Sequence, residues 1–251
     1  MKNILEVLDL KFTYKGKLAT DDYTISLPTL NLGEGEVLAI TGVSGSGKST
    51  LLECLALLRE ANSFNTFKIE DFNINELPKP KRELVRTSIL GFMPQMGGLI
   101  PYLNIEDNIN LQIEVALSMR KKLGIKQNET KKELKENALS LLKEFNLFEL
   151  LKRFPQELSI GQRQRAVFIK AISHHPTLLL IDEPTSSLDP EHGDLLFNNI
   201  ITFCKEKNVG SIVVTHDLNL VNKNNLKSLV YEREQGSNIG KFILKGEVND
   251  F

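Results

Sequence analysis

The chain has little cysteine, no surplus of charge of either sign and no long apolar run, and each shortage closes off a class of function. Its two cysteines, Cys54 and Cys204, are far apart and neither has a cysteine neighbour at metal-ligand or redox spacing. A zinc or dithiol site therefore has no framework, and Cys54, set among leucines, reads as a buried core thiol. Thirty-one basic residues balance 32 acidic ones, which leaves neither a basic field for nucleic acid nor an acidic solvating tail. No stretch approaches the roughly 18 apolar residues of a membrane span. The opening Met1-Lys2-Asn3-Ile4-Leu5-Glu6 puts an acid where a signal peptide needs an unbroken apolar run. The expectation is a soluble chain of a reducing compartment whose dealings with a membrane, if it has any, run through a partner.

What is present is a glycine-rich loop. Gly42-Val43-Ser44-Gly45-Ser46-Gly47-Lys48-Ser49, with Thr50 behind it, fits the phosphate-loop pattern G-x-x-x-x-G-K-[ST] at every fixed position. Four constrained positions give a chance match in roughly 1% of chains this long. The apolar run Glu36–Ile40 before the loop reads as a buried strand, and Leu51–Leu58 after it as an apolar helix. In that context the glycines let consecutive N–H groups face a phosphate chain, and the helix N-terminus adds partial positive charge. Lys48 reaches the β- and γ-phosphates, and the Ser49 hydroxyl completes a Mg²⁺ site.

Along the rest of the chain, Tyr14–Lys17 and Thr20–Asp22 break short strands, Phe67–Glu70 is a further strand, and the segment around Pro78 and Pro80 reads as a linker. Ile89–Met93 is a short apolar strand running into Pro94-Gln95. Asn104 can cap a helix carrying Ile105, Ile109, Ile113 and Leu117, closed near Gly124. A second helix from about Glu129 carries Leu134, Ala138, Leu141, Leu142 and Phe145 on one face, and Ser159 begins a third. These form an inserted helical lobe, about 96–174. Thr177–Ile181 and Ser211–Val214 are continuous apolar runs that suit a buried parallel sheet, joined by a crossover helix over 194–207. Leu229–Tyr231 and Phe242–Leu244 suggest a terminal hairpin. The fold class is therefore α/β: a phosphate-loop core with a parallel sheet, an antiparallel β portion and the helical lobe.

Leu178–Ile181 ends in Asp182-Glu183. In a phosphate-loop fold the first acid belongs beside the metal, and the second is free to orient water. His216 directly follows a buried strand, at the end where such sheets hold ligands. By contrast, His174 and His175 before Pro176 read as a solvated turn, and His192 as exposed.

Taken together, Ser159-Ile160-Gly161-Gln162, Gln95 after a strand, Asp182-Glu183-Pro184-Thr185-Ser186-Ser187-Leu188-Asp189 and Thr215-His216-Asp217 resemble an ATP-binding cassette ATPase in order and spacing, over essentially the whole chain. The resemblance implies ATP and Mg²⁺ as ligands. Tyr14 would stack on adenine, while Lys48 and the amides of Gly42, Val43, Ser44, Gly45, Ser46 and Gly47, with Thr50, would hold phosphate. Ser49 and Asp182 would organise Mg²⁺, with Gln95 approaching the metal and the attacking water. Glu183 would polarise that water and His216 would contact the γ-phosphate. Ser159, Gly161 and Gln162 would bind the γ-phosphate held by a second cassette, and Asp189 would lie on the loop that crosses to it. The implied assembly is a head-to-tail dimer, expected to be a homodimer, acting on a separate integral membrane transporter subunit from the cytoplasmic face, with no nucleic acid. A regulatory cassette controlling a cell-envelope or cell-division complex is the alternative.

Two departures from the family pattern stand out. Ile160 occupies the first glycine of the usual Leu-Ser-Gly-Gly-Gln, which implies an ordinary backbone there because a branched residue is costly at φ > 0. The region Arg86–Leu111 resembles the lipoprotein-release, macrolide-efflux and cell-division group, yet Asn62-Ser63-Phe64-Asn65 stands where that group has Pro-Thr-Ser-Gly. The stretch Met93–Leu103, apolar and broken by proline and glycine, either faces a membrane partner or fills the helical lobe.

Overall fold

The computed structural model describes residues 2–18 and 21–246; Thr20, expected within a turn, lies outside them. In chain order the elements are β1 (Asn3–Tyr14), β2 (Tyr23–Gly33), β3 (Val37–Thr41), α1 (Lys48–Leu55), β4 (Thr66–Ile69), β5 (Phe72–Asn73), α2 (Lys79–Ile89), β6 (Leu90–Met93), α3 (Ile105–Leu123), α4 (Lys131–Glu144), α5 (Ile160–Ile172), β7 (Leu178–Asp182), α6 (Pro190–Glu206), β8 (Gly210–Val214), α7 (Leu218–Lys223), β9 (Lys227–Arg233) and β10 (Ile239–Lys245). They build one sheet in the order β5-β4-β1-β2-β10-β9-β3-β8-β7-β6.

The run β9-β3-β8-β7-β6 is parallel throughout. Every residue of β3, β7 and β8 is buried, as expected for strands covered on both faces. Their alternating side chains feed two separate cores. Leu38, Ile40, Leu178, Leu180, Ile212 and Val214 pack with Leu51, Leu52 and Leu55 of α1. Ala39, Leu179, Ile181 and Val213 pack with α3 to α6. The antiparallel portion, β1 with β2 and β4, is built of longer strands than the turn signals suggest, because β1 is paired on both sides along part of its length. β9 and β10 form the expected antiparallel pair.

Helix boundaries follow local chemistry. The Asn104 side chain accepts from Asp107 N at 2.8 Å, and Gly124 closes α3 with φ 70°. Thr130 with Glu133 and Ser159 with Gln162 form capping boxes at α4 and α5. Ile160 is a helical residue, so its backbone is ordinary as expected. The segment at Pro78 and Pro80 is not a linker: α2 begins at Lys79 with proline in its first turn. Proline costs nothing there, because the first helical N–H groups have no partner anyway.

His174 is also corrected. It is fully buried, not in a solvated turn: its Nε2 donates to Leu90 O at 3.0 Å and its Nδ1 faces the Gln112 amide. Burial and the nearby Arg120 push its pKa down to about 3, so the ring is neutral. The Arg120 guanidinium donates to the Ser88, His174 and His175 carbonyls, tying α3 to the ends of α2 and α5. His175 is half-buried and pairs with Glu129 at 2.6 Å. At the other end of α3, buried Asn108 accepts from Ile100 N at 2.8 Å and donates to the Ile100, Leu103 and Asn104 carbonyls. The stretch Met93–Leu103 is split: Met93 is buried and Leu99 packs on the core, whereas Met96 and Tyr102 are exposed at 83% and 77%.

Candidate nucleotide site

The loop between β3 and α1 opens at the carboxyl end of the parallel strands, where open α/β sheets hold ligands. Its glycines are required by conformation. Gly42, Gly45 and Gly47 have φ of 146°, 75° and 94°, values that side chains resist. A Cβ on Gly47 would also lie 2.8 Å from the Ile25 side chain, and one on Gly42 2.7 Å from Tyr231. The buried Lys48 ammonium donates to Gly42 O and Val43 O, both at 3.0 Å, so the lysine braces its own loop. Burial lowers its pKa, and the nearby Glu183 and Asp182 oppose that shift.

Asp182 ends β7, and one of its oxygens accepts the Ser49 hydroxyl at 3.1 Å. Burial raises the pKa of this carboxyl, Ser49 and Lys48 pull it back, and the Glu183 charge adds to the rise. Glu183 follows at φ 45°, an uncommon conformation for a residue with a side chain. Its N–H donates to Val214 O at 3.0 Å, which extends the parallel pairing of β7 with β8 by one bond and holds Glu183 at the strand end. The Glu183 carboxylate is gripped on both oxygens, by the Gln95 amide at 2.7 Å and by His216 Nε2. Sequence-distant Gln95, Asp182, Glu183 and His216 are thereby collected at the ends of β6, β7 and β8.

A cavity of about 500 Å³ lies over these groups, lined by Tyr14, Tyr23, Ser44, Gly45, Gly47, Lys48, Ser49, Thr50, Gln95, Glu183 and His216. This is within the usual range for a small-molecule site. The Tyr14 hydroxyl donates to Thr50 Oγ1. Asp182 sits just behind the lining, Ser46 is buried beneath the loop with no partner for its hydroxyl, and Val43 is 68% exposed.

Besides Gly42, Val43, Ser46 and Asp182, which belong to the loop and strand end under the cavity, four further expected site residues do not line it. Ser159 and Gln162 cap α5, Gly161 faces Leu188, and Asp189 caps α6 through His192 N at 3.2 Å. Within one chain, the start of α5 and the phosphate loop remain separate. Tyr23 was missed by sequence reasoning, although it lines the cavity. The only sequence signal for it is that β1 and β2 flank one turn, which sets Tyr23 opposite Tyr14 once they pair. Among the described residues no group of three or more His, Cys, Asp or Glu side chains forms a metal cluster.

A family model described as ABC transporter matches residues 26–186. The chain belongs to the ABC transporter family. It is an ATP-binding subunit of that family and an ATP hydrolase. Similarity extends well beyond the matched segment. The lipoprotein-releasing system ATP-binding protein LolD of Buchnera aphidicola subsp. Acyrthosiphon pisum is 32% identical over 227 residues, covering 88% of this chain and 91% of that protein. The dimeric structure of MJ0796, a bacterial ABC transporter cassette, is 27% identical with a TM-score of 0.74, covering 90% and 93% of the two chains. A dimeric post-hydrolysis state of the same cassette bound to ADP and Pi is 26% identical with a TM-score of 0.77, covering 98% of this chain and all of that one. The ABC fold explains the two-part sheet. No helix among the described residues is long and apolar enough to cross a membrane.

Proposed function

We propose that this ABC subunit closes as a homodimer around two ATP molecules and uses their hydrolysis to drive a separately encoded integral membrane subunit from the cytoplasmic side. The reading treats residues 1–251 as one ATPase domain with a helical lobe over about 96–174, acting on no nucleic acid. One observation carries it. Gln95, Asp182, Glu183 and His216 converge on the cavity of the phosphate loop, while the Ser159–Gln162 helix start stands outside it. A second copy, arranged head to tail, would supply the missing half, as the dimeric state of MJ0796 suggests.

In this reading the loop amides of Gly42 to Gly47 and Lys48 bind the phosphate chain, and Tyr14 and Thr50 bound the nucleotide end of the cavity. Ser49 and Asp182 fit a hard divalent cation. Their donors are all oxygen, one is an acid held in a desolvated place, and Gln95, whose amide N–H is given to Glu183, keeps its carbonyl oxygen free. Bound there, Mg²⁺ would neutralise charge on the phosphate oxygens. Glu183 orients and polarises the attacking water, His216 turns toward the γ-phosphate, and Gln95 reports between them. Each Glu183 oxygen already accepts one hydrogen bond, from Gln95 or from His216, which fixes the carboxylate's orientation while a second lone pair on each oxygen stays available to the attacking water. From the second subunit, Ser159, Gly161 and Gln162 close over the γ-phosphate, with Asp189 on the crossing loop.

In this reading the partner-facing surface is the groove that Phe92 and Gly98, on either side of Gln95 in sequence, help to line. A recess of about 180 Å³ lies between core and helices, lined by Leu58, Arg86, Phe92, Gly98, Val167 and Lys170 among others. Exposed Met96 adjoins it in sequence and offers the adaptable apolar contact suited to a docking helix. The test of the whole reading is the dependence of specific ATPase activity on protein concentration. Activity should rise with concentration as dimers form, and constant activity in a proven monomer would refute the shared site.

A further inference from the structure

Three tyrosines from three strands meet beside the phosphate loop. Tyr14 ends β1, Tyr23 begins β2 as its cross-strand partner, and Tyr231 lies on β9. The rings of Tyr14 and Tyr23 are nearly parallel, 20° apart in plane, with centroids separated by 6.0 Å. Phe12 meets Tyr14 edge-on at 5.0 Å. The Tyr23 hydroxyl is hydrogen-bonded to the Tyr231 hydroxyl at 2.7 Å, and the Arg233 guanidinium sits 5.1 Å from the Tyr23 ring centroid. Burial and the Tyr231 hydroxyl both raise the Tyr23 pKa, so it stays a neutral donor or acceptor.

The cradle for this arrangement is built into the backbone. A Cβ on Gly240 of β10 would lie 2.3 Å from the Tyr23 hydroxyl and 2.3 Å from the Tyr231 ring, so only glycine leaves room for both. Tyr231 in turn packs against Gly42, the first glycine of the phosphate loop, where a Cβ would come within 2.7 Å. The Tyr14 hydroxyl reaches Thr50 on the other side of that loop. The tyrosine row thus spans from the expected base platform to the loop that holds phosphate.

We propose that Tyr23 is a positioning residue for the nucleotide base: anchored by Tyr231 and seated on Gly240, it fixes the orientation of the Tyr14 ring that the purine stacks on. The proposal rests on the reading of Tyr14 as the base platform given above. Aromatic pairs contribute on the order of a three- to tenfold change in affinity, and stacking reads a ring face and not its edge. Losing the Tyr23 ring therefore weakens binding of ATP and GTP by the same factor and leaves a ligand without a base untouched.

The experiment measures displacement of trinitrophenyl-ATP by ATP, GTP and inorganic tripolyphosphate from the purified full chain, with Mg²⁺ present. Tyr23→Ala should weaken ATP and GTP about three- to tenfold, with tripolyphosphate unchanged. In turnover, KM for ATP should rise by a similar factor with kcat within about twofold. Tyr23→Phe keeps the ring and loses only the hydroxyl bond to Tyr231, so its loss of nucleotide affinity should be smaller than that of Tyr23→Ala and should again spare tripolyphosphate. Gly240→Ala, which leaves every ring in place chemically but displaces two of them, should reproduce the Tyr23→Ala loss. Unchanged nucleotide affinity in both Tyr23→Ala and Gly240→Ala would overturn the proposal, as would an equal loss of tripolyphosphate, which marks general damage to the loop. Lys48→Ala serves as the control: it should lose tripolyphosphate and ATP together. If it loses neither, the nucleotide-site reading itself falls and the proposal with it; if it behaves as expected while Tyr23→Ala does not, only the role of Tyr23 is refuted.

Discussion

Replacing Glu183 by glutamine isolates the chemistry of one charge. The side chain keeps its length, and one of its two oxygens remains to accept the Gln95 amide that now donates at 2.7 Å. The other end turns an N–H₂ toward His216 Nε2, so one hydrogen bond of the cage is reversed and not removed, a change of about 1 kcal/mol at most. Neither Lys48 nor the loop glycines touch Glu183 through a hydrogen bond, and the Glu183 N–H bond to Val214 O is backbone. The fold and ATP affinity should therefore survive. What disappears is the negative charge that polarises water, and general-base contributions of this kind are about 10²–10⁴-fold in rate. At 1.36 kcal/mol per tenfold, this raises the barrier by roughly 3–5 kcal/mol. Phosphate release at saturating Mg-ATP should fall by that factor while the equilibrium affinity for ATP stays within about fivefold, the scale of the one reversed hydrogen bond. With both γ-phosphates retained, the closed dimer should accumulate and elute earlier on size exclusion in Mg-ATP than in Mg-ADP. Hydrolysis at the parental rate by a protein that stays monomeric would refute the assignment of Glu183, even with the phosphate loop intact.

Lys48→Ala removes a charged donor from buried carbonyls and from the phosphate site. On the scale of a charged hydrogen bond it should weaken ATP binding about 10- to 100-fold, with unchanged circular dichroism; titration of a fluorescent ATP analogue reads this. His174 gives a pH prediction. Its pKa in the folded chain is about 3 against an ordinary 6.5, so below about pH 6.5 the unfolded chain binds a proton that the folded chain refuses. Stability is fully present above pH 6.5 and falls toward pH 3, by up to 1.36 kcal/mol per unit or about 2 kcal/mol at pH 5. Urea unfolding at pH 7 and pH 5 should show that excess loss in the parent and not in His174→Gln. Equal losses in the two proteins would contradict it. Met96→Glu alters a side chain that is 83% exposed, so stability should move by less than about 0.5 kcal/mol. ATP binding should be retained and co-purification of the membrane subunit lost; intact co-purification would move the docking surface elsewhere.

The site was legible in the sequence wherever its chemistry is local. A phosphate loop is contiguous, its glycines are dictated by positive φ, and the acids follow a strand whose apolar run announces it. The caps at Asn104, Ser159 and Gly124 are similarly short-range. What escaped depends on partners distant in the chain. His174 reads as a turn residue because it precedes His175-Pro176, yet the beginning of β6 and the α3 helix close over it. Tyr23 and Tyr231 carry no pattern of their own and acquire meaning only through strand pairing and the glycine at 240. Pro78 and Pro80 misled because proline both breaks a helix and opens one. For the exposed Met96 and the packed Leu99, composition is the same and only the direction of the chain differs.

Asn108, fully buried and bonded to Ile100, Leu103 and Asn104, has an evolutionary consequence. It pins one end of the short span that follows β6, and the grip of Gln95 on Glu183 pins the other. Between them stand Met96, which is exposed, and Gly97 and Gly98 at φ of 82° and 85°. If this tip meets the membrane subunit as proposed, substitution there can change the contact without shifting either fixed point, and drift in the partner can be followed by drift here while Glu183 stays in register. In that role the span would be an exchangeable adaptor on an unchanging engine.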